Sequence, residues 1–512
     1  MISIGGELLT DEVIRKIVLE NEKIEIDPEA LRRVEENHSF LLSFASDKII
    51  YGINTGFGPM ARYRIEEEDQ IALQYNLIRS HASGAGAPIQ DIYIRAGLLA
   101  RLNSLLQAHS GIHPEVPVLI CEFLNHEIYP VIPEHGGVGA SGDLVQLSHM
   151  ALALIGEGDV SWRGKRMPVH EVFAELGLTP VSMHIREGLA LINGTSVMTG
   201  IGAVNVARAR KLLRWSVWAS SLINELVESY DDHFSEELNS YKKHPGQQYI
   251  AGMIRKFTAG SALIRSRADH LFNGCKKKNL LDDKVQEYYS IRCVPQILGP
   301  VHDTIQNAGK VVTDEFNSVN DNPVIDDGIG NVFHGGNFHG DYISLEMDKL
   351  RMAVTRLSML SERQLNYFMN DKLNEKWPPF VNLGRLGLNL GMQGVQFTAT
   401  STVAENQTLS NSMYVHSIPN NNDNQDIVSM GTNAALLTSR VIENAFQVLS
   451  IQLMALIQAV DYLGNDQGLS PVSRKYYSEL RALVPKFEKD TTKYREIEII
   501  RDYLINHCIS VS

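Results

Sequence analysis

Apolar residues recur three and four positions apart over long stretches of this chain, at 201–230, 342–372, 387–409 and 431–462. That spacing puts them on one face of an α-helix. Helices of such length are rarely stable alone, so the pattern predicts a bundle around a shared core. Shorter helical signals fill 11–46, where an acidic polar connection separates them, and 66–130, broken at Gly84, Gly86 and Pro88. Another helix is expected at about 143–156, while 159–185 carries short strand and turn signals around Trp162-Arg163-Gly164-Lys165. Gly- or Asn-rich loops fall at 47–60, 314–323, 333–341 and 419–426. The expectation is a mainly α protein. Residues 1–196 form a smaller N-terminal helical and loop region, and 197–512 a long central helical bundle with a C-terminal helical region. Polar loops between long buried helices suggest a rigid frame around a polar site.

With 512 residues and 44% apolar content, the chain can bury a large core. A net charge of −13 does not favour a nucleic-acid groove, and Lys276-Lys277-Lys278 reads as a solvated loop. The four cysteines, Cys121, Cys275, Cys293 and Cys508, contain no CxxC pair, which argues against a zinc site of that type and against a disulfide scaffold. No basic segment followed by an apolar one opens the chain, so a cytoplasmic location is expected. Around 434–460, Arg440, Glu443, Asn444, Gln447 and Gln452 interrupt the apolar run, as in a buried helix rather than a membrane span.

Candidate chemistry starts at Gly136-Gly137-Val138-Gly139-Ala140-Ser141-Gly142-Asp143-Leu144. The Gly142 amide nitrogen can attack the Ala140 carbonyl, and loss of two waters, including the Ser141 hydroxyl, leaves a methylideneimidazolone ring. Small residues are needed because one backbone atom must fold back on another. Taken alone, the triplet also reads as a Gly-rich turn before a helix. Tyr51 opens a second glycine-rich loop. It reads either as a buried aromatic finishing a strand or as a base whose phenol needs nearby donors or positive charge to ionise. Arg292 sits in the apolar segment Tyr289-Ser290-Ile291-Arg292-Cys293. It fits an internal salt bridge, a bound anion or a substrate carboxylate. Asn193 follows an apolar run and fits a helix cap or an oxyanion donor. His334 and His339 lack an accompanying carboxylate and cysteine set, so their loop reads as packing near the site, with no metal.

Six segments together resemble the aromatic amino acid ammonia-lyases: Tyr51–Gly58, Gly139–Leu144, Asn193–Thr195, Tyr289–Cys293, Gly336–His339 and Asn424–Met430. That group includes the histidine, phenylalanine and tyrosine enzymes and the related aminomutases. The resemblance covers nearly the whole chain. It implies a mainly helical homotetramer whose active sites are built from three subunits, with no nucleic-acid or membrane partner. It implies that Ala140, Ser141 and Gly142 form the cofactor, 4-methylidene-imidazole-5-one, with no external group. It further implies that Tyr51 removes the β-proton, that Arg292 holds the substrate carboxylate, and that Asn193 and Tyr289 organise cofactor and amine, with Phe338 in the surrounding shell. Helix N-termini are expected to face the cofactor.

Two positions bear on substrate. Ser80-His81 stands where phenylalanine-specific members of the family usually carry an apolar pair; His81 either bonds a polar ring substituent or is a satisfied interior histidine. Gln425, beside Asn421 and Asn424, stands where histidine-specific members carry a glutamate. A polar His81 with a neutral Gln425 favours L-tyrosine, giving trans-4-coumarate by elimination. Histidine elimination to trans-urocanate and a tyrosine 2,3-aminomutase activity are the alternatives.

Overall fold

The computed structural model describes residues 1–272 and 284–510. Cys275 and the Lys276–Lys278 run, expected as a solvated loop, lie outside the described residues. The chain is mainly helical, as the periodicity predicts. Its helices are α1 (Asp11–Leu19), α2 (Pro28–Ala45), α3 (Gln70–His81), α4 (Asp91–Leu106), α5 (Glu115–Asn125), α6 (Leu144–Leu154), α7 (Val169–Leu176), α8 (Glu187–Ile192), α9 (Ser196–Leu226), α10 (Glu236–Ser240), α11 (Pro245–Thr258), α12 (Tyr289–Arg292), α13 (Val294–Phe316), α14 (Asp341–Met369), α15 (Asp371–Asn374), α16 (Gln393–Leu409), α17 (Gly431–Leu463), α18 (Pro471–Leu483) and α19 (Tyr494–Asn506). Among the described residues the strands are short and form sheets of two or three, such as Ile2–Ile4 paired in parallel with Ile24–Ile26.

Three expectations change. The segment 159–185 holds a hairpin, Asp159–Trp162 with Lys165–Pro168, but also helix α7. The helix expected from 387 begins at Gln393; Leu386, Leu388 and Leu390 supplied its apolar signal yet are exposed. Helix α13 runs to Phe316, where a loop from 314 was expected, and it carries Pro300 inside. The missing N–H of a proline weakens the helical signal without ending this helix.

The compact units do not follow a single cut after residue 196. One comprises Met1–Ala207, Ala308–Asp348 and Ser412–Ser439; the other comprises Arg208–Asn307, Lys349–Asn411 and Arg440–Ser512. Four of the five boundaries fall inside α9, α13, α14 and α17, and the fifth, between Asn411 and Ser412, follows the end of α16. In the first unit, α4 is buried from Tyr93 to Leu106, polar Arg95, Arg101 and Asn103 included. A helix buried on every side has no polar face to display. In the second unit, Trp215 and Trp218 pack edge-on against Tyr476, with ring centres 5.2 and 5.6 Å away. Among the described residues α17 alone is long and apolar enough to cross a membrane, and 78% of its most apolar window is buried inside the protein. Two of its polar residues bond to neighbouring helices: Asn444 donates to Asn406 at 2.9 Å and Gln452 to Gln364 at 2.7 Å.

Helix α8, in the first unit, ends at Asn193, so what anchors α8 matters to the site. Arg186 precedes it with φ +69° and makes a fully buried ion pair with Asp321 at 3.0 Å. Glu187 opens it, accepting the backbone N–H of His113 (2.7 Å) on one oxygen and that of His184 (2.6 Å) on the other. Burial pushes the Glu187 carboxyl up to about 7, against the opposing effect of those two donors. A folded-state value above the unfolded one favours the protonated, folded protein. That stability is complete below the ordinary carboxylate range and is lost as pH rises through about 7, by up to about 3 kcal/mol. Glu187→Gln cannot ionise. The gap in unfolding midpoint between wild type and this variant is therefore expected to narrow from pH 5 to pH 8; a constant gap contradicts the account.

Candidate active site

The Gly-rich loop before α6 lies directly against the turn that follows α8. Gly142 has φ +72°, and a Cβ there would collide with the Gly194 carbonyl. Only glycine permits both the conformation and the approach. The Asp143 N–H donates to Gly194 O at 2.7 Å, and the Gly194 N–H to Ser141 O at 3.4 Å. Asn193, the C-cap residue of α8, donates through Nδ2 to Ser141 O at 3.0 Å. Gln425 Nε2 donates to Ser141 Oγ at 2.9 Å. The structure thus brings the triplet, Asn193 and Gln425 together. Asn193 is 3% exposed, and its Oδ1 accepts no hydrogen bond. An orphaned buried acceptor is costly, and an ammonium or amine donor would satisfy it.

Two further loops close on the same point. Ser429 Oγ donates to Gly139 O at 3.0 Å, and Met430 N–H to Val138 O at 2.9 Å. The Gly340 N–H donates to Gly139 O at 3.1 Å, so the His334–His339 loop packs beside the triplet loop as expected. Among the described residues no three His, Cys, Asp or Glu side chains are grouped to hold a metal. Helices α6, α9, α14 and α17 all start within a few residues of these loops. Their free N–H groups favour negative charge. Asp143 takes part of that capacity: its Oδ2 accepts from Val197 (2.9 Å) and Met198 (2.8 Å) in the first turn of α9, and its Oδ1 from the Thr432 hydroxyl. Burial raises the Asp143 carboxyl to about 6, against those three donors. Sequence reasoning assigned Asp143 no role; an aspartate just before an apolar helix was the available signal.

Tyr51 is half-buried in a loop rather than finishing a strand, and its hydroxyl accepts the Gly58 N–H at 3.0 Å. A Cβ on Gly58 would stand 2.9 Å from Asn421 Nδ2, so the Tyr51 loop abuts the 420–425 loop. There Asn421, Asn422 and Asp423 have φ of +52°, +55° and +57°. Short polar side chains tolerate that left-handed backbone best, which accounts for the Asn-rich run. Asn424 is exposed, its N–H donating to Asn421 O at 3.2 Å. Phe338 is half-buried in the 336–340 loop. Ser80 and His81 end α3, which packs on α6 and α8. His81 Nδ1 lies 2.9 Å from Leu77 O and 3.0 Å from Ser80 Oγ. A carbonyl only accepts, so Nδ1 carries the proton and Nε2 is left as an acceptor.

Tyr289 and Arg292 belong to the second unit, on α12. Tyr289 is 70% exposed. The Arg292 guanidinium rests over the Tyr289 ring, 4.8 Å from its centre, and donates to Gln286 Oε1. Among the described residues no carboxylate pairs with it. Both residues line a cavity of about 740 Å³ with Gln286, Ser290 and Asn366. Lys284, Arg363 and the Glu287 carboxylate line the same cavity, and the planar fork of Arg292 suits a bound carboxylate there.

The residues present fit a ring made from the triplet. The close turn at Gly142 has no room for a side chain, Ser141 O is held by two donors, and the Asn193 carbonyl awaits one. A family model described as aromatic amino acid lyase matches residues 9–482. A tyrosine 2,3-aminomutase from Chondromyces crocatus is 40% identical over 508 residues, 98% of this chain and 96% of that one. A histidine ammonia-lyase from Geobacillus thermodenitrificans (strain NG80-2) is 37% identical over 510 residues, 99% and 98% of the two chains. The crystal structure of a tyrosine aminomutase from Streptomyces globisporus superposes with a TM-score of 0.94 at 36% identity, covering 98% of this chain and 96% of that one.

Ring closure removes two waters, about 36 Da per subunit. Gly142→Ala is expected to yield folded protein with the full encoded mass. Intact-mass spectrometry checks this, and a Gly142→Ala subunit that is still light would contradict the close-approach argument.

Proposed function

This chain belongs to the aromatic amino acid lyase family, and on that premise we propose that it is a tyrosine ammonia-lyase, converting L-tyrosine to trans-4-coumarate and ammonia. Its cofactor is 4-methylidene-imidazole-5-one formed from Ala140, Ser141 and Gly142. The observation that carries the substrate choice is the His81 tautomer. With Nδ1 donating to Leu77 O, Nε2 accepts from a phenolic hydroxyl, a partner that phenylalanine lacks. Gln425, bonded to Ser141, brings an uncharged amide to the triplet in place of the carboxylate that would favour a cationic imidazole.

The ring supplies an electrophile that takes up the substrate amino group and makes it a better leaving group. The remaining work falls to side chains. Arg292 grips the carboxylate through its planar fork. Asn193 offers its unpartnered Oδ1 to the amine, and Tyr289 orders the same end. Tyr51 takes the poorly acidic β-proton, so it must sit within about 3 Å in a dry pocket. The Gly58 N–H donates to its hydroxyl oxygen at 3.0 Å and fixes where that oxygen sits. Asn421 and Asn424 shape the loop that carries Gln425, and Phe338 packs the wall.

Self-association into a homotetramer, with active sites shared among three subunits, belongs to the same reading. Tyr289 at 70% exposed, Tyr342 at 73% on α14 and Phe397 at 65% on α16 are large apolar surfaces that a partner copy would cover. Cys121, Cys293 and Cys508 are unpaired, consistent with the reducing cytoplasm.

A second reading, tyrosine 2,3-aminomutase, is favoured by the name of the 40% identical relative. Incubation with L-tyrosine, L-histidine and L-phenylalanine, with products identified by chromatography, separates the possibilities. Dominant 4-coumarate is expected. Accumulating β-tyrosine would establish the mutase, and dominant urocanate would overturn the roles given to His81 and Gln425. His81→Phe is expected to shift the kcat/KM ratio toward phenylalanine over tyrosine by about 100-fold or more. Gln425→Glu is expected to raise histidine turnover; no detectable gain would contradict the electrostatic account of that position.

A further inference from the structure

The turn at Asn193–Gly194 is held from behind by residues to which the reaction assigns no role. Arg101, on α4, is fully buried. Its Nη2 donates to Ala190 O in the last turn of α8, and its Nη1 donates to Asn320 Oδ1 at 3.4 Å. Asn320 donates through Nδ2 to Thr195 Oγ1 at 2.9 Å, and the Thr195 hydroxyl donates to Glu315. Ser104, three residues beyond Arg101 on α4, donates to Asn320 Oδ1 at 3.3 Å. One arm therefore holds the chain before the turn, at Ala190, and the other holds it after, at Thr195. Gly194 lies between them: a Cβ there would stand 2.6 Å from both Arg101 Nη1 and Asn320 Oδ1.

Burying a guanidinium is costly, and an apolar side chain of similar volume would serve packing alone as well or better. Burial lowers the Arg101 pKa to about 10, opposed by Asp321 and Asp143 and assisted by Arg186, so the group remains a cation at neutral pH. The cation suits the unpaired carbonyls ending α8. No carboxylate among the described residues is in hydrogen-bond contact with it. Its hydrogen bonds go to Ala190 O, before the turn, and to the Asn320 side chain that holds Thr195 after it.

We infer that Arg101, acting with Asn320, is a positioning residue that clamps the Asn193–Gly194 turn against Ala140-Ser141-Gly142, so that cofactor formation and the placement of Asn193 both depend on it. This rests on the proposed ring chemistry. Closure forms a bond from Gly142 N to the Ala140 carbonyl carbon. The Ala140 oxygen leaves as water with one hydrogen from the Gly142 N–H and one from the Ser141 N–H. Ser141 then loses its hydroxyl and its α-hydrogen as the second water. The turn holds the loop for these steps through the two donors on Ser141 O and the Gly194 carbonyl on Asp143 N–H. A slack turn slows closure and leaves Asn193 Oδ1 off the amine.

Arg101→Met removes the donors while keeping bulk, Asn320→Ala removes the second arm while leaving the guanidinium and its bond to Ala190 O in place, and Arg101→Lys keeps the charge but reaches only one arm. Each is compared with wild type by circular dichroism, size exclusion, intact mass, and kcat and KM for L-tyrosine. For folded Arg101→Met and Asn320→Ala, the fraction of subunits light by about 36 Da is expected to fall about threefold or more. Their kcat per light subunit is expected to fall about tenfold at nearly unchanged KM, with Arg101→Lys intermediate. Should Arg101→Met fail to fold, Asn320→Ala decides. Full mass loss in Asn320→Ala with kcat within about twofold of wild type would overturn the clamp. A wild-type subunit of full encoded mass, inert toward all three amino acids, would instead overturn the reading of the site on which the clamp rests.

Discussion

The close packing of two backbone turns, Gly142 against Gly194, is the constraint from which the rest of the site follows. It leaves no space for a side chain at either position. It sets Asp143 N–H on the Gly194 carbonyl and the Gly194 N–H on Ser141 O. Each turn is the junction of a loop and a helix. Holding the two together therefore fixes where α6 and α9 begin, where α8 ends, and where Asn193 delivers its amide. The Ser429 and Gly340 bonds to Gly139 bring the starts of α17 and α14 to the same point. The long helices give these loops a rigid footing, and the loops carry the chemistry.

Electrostatics around that point are unusual for a buried region. Asp143 and Glu187 both carry carboxyls raised by burial, to about 6 and about 7. Asp143 spends its oxygens on two backbone N–H groups and the Thr432 hydroxyl, and Glu187 on two backbone N–H groups, which makes them fasteners of backbone rather than acid–base candidates. Arg101 holds the carbonyl end of α8 in the complementary way. The first unit's candidate substrate-contacting residues, Tyr51, His81, Asn193 and Gln425, include no carboxylate. In the second unit the Arg292 guanidinium rests over the Tyr289 ring and donates to Gln286.

Much of this was legible in the sequence, and what was not has physical reasons. The periodic runs located α9, α14 and α17 because each helix hides a single apolar stripe. Helix α13 was obscured by Pro295 and Pro300, which lower helical propensity locally without breaking a helix held by packing. The start of α16 was misplaced because Leu386, Leu388 and Leu390 look like core and lie at the surface. The two compact units have no linker between them to read. The triplet, Asn193 and Gln425 were visible because their residue types carry chemistry at a recognisable spacing. Arg101, Asn320 and Asp143 were not, since a buried polar residue inside an apolar helix or loop shows its partners only in three dimensions. The Asn421–Asp423 run was seen as a substrate feature, and its backbone conformation explains the asparagines more directly.

The proposed chemistry depends on a ring formed within Ala140-Ser141-Gly142. Proteolysis of the wild-type protein followed by mass spectrometry of the peptide spanning residues 140–142 tests this most directly. The account predicts a deficit of two waters confined to Ala140-Ser141-Gly142. A peptide of unmodified mass in protein that eliminates ammonia would contradict it.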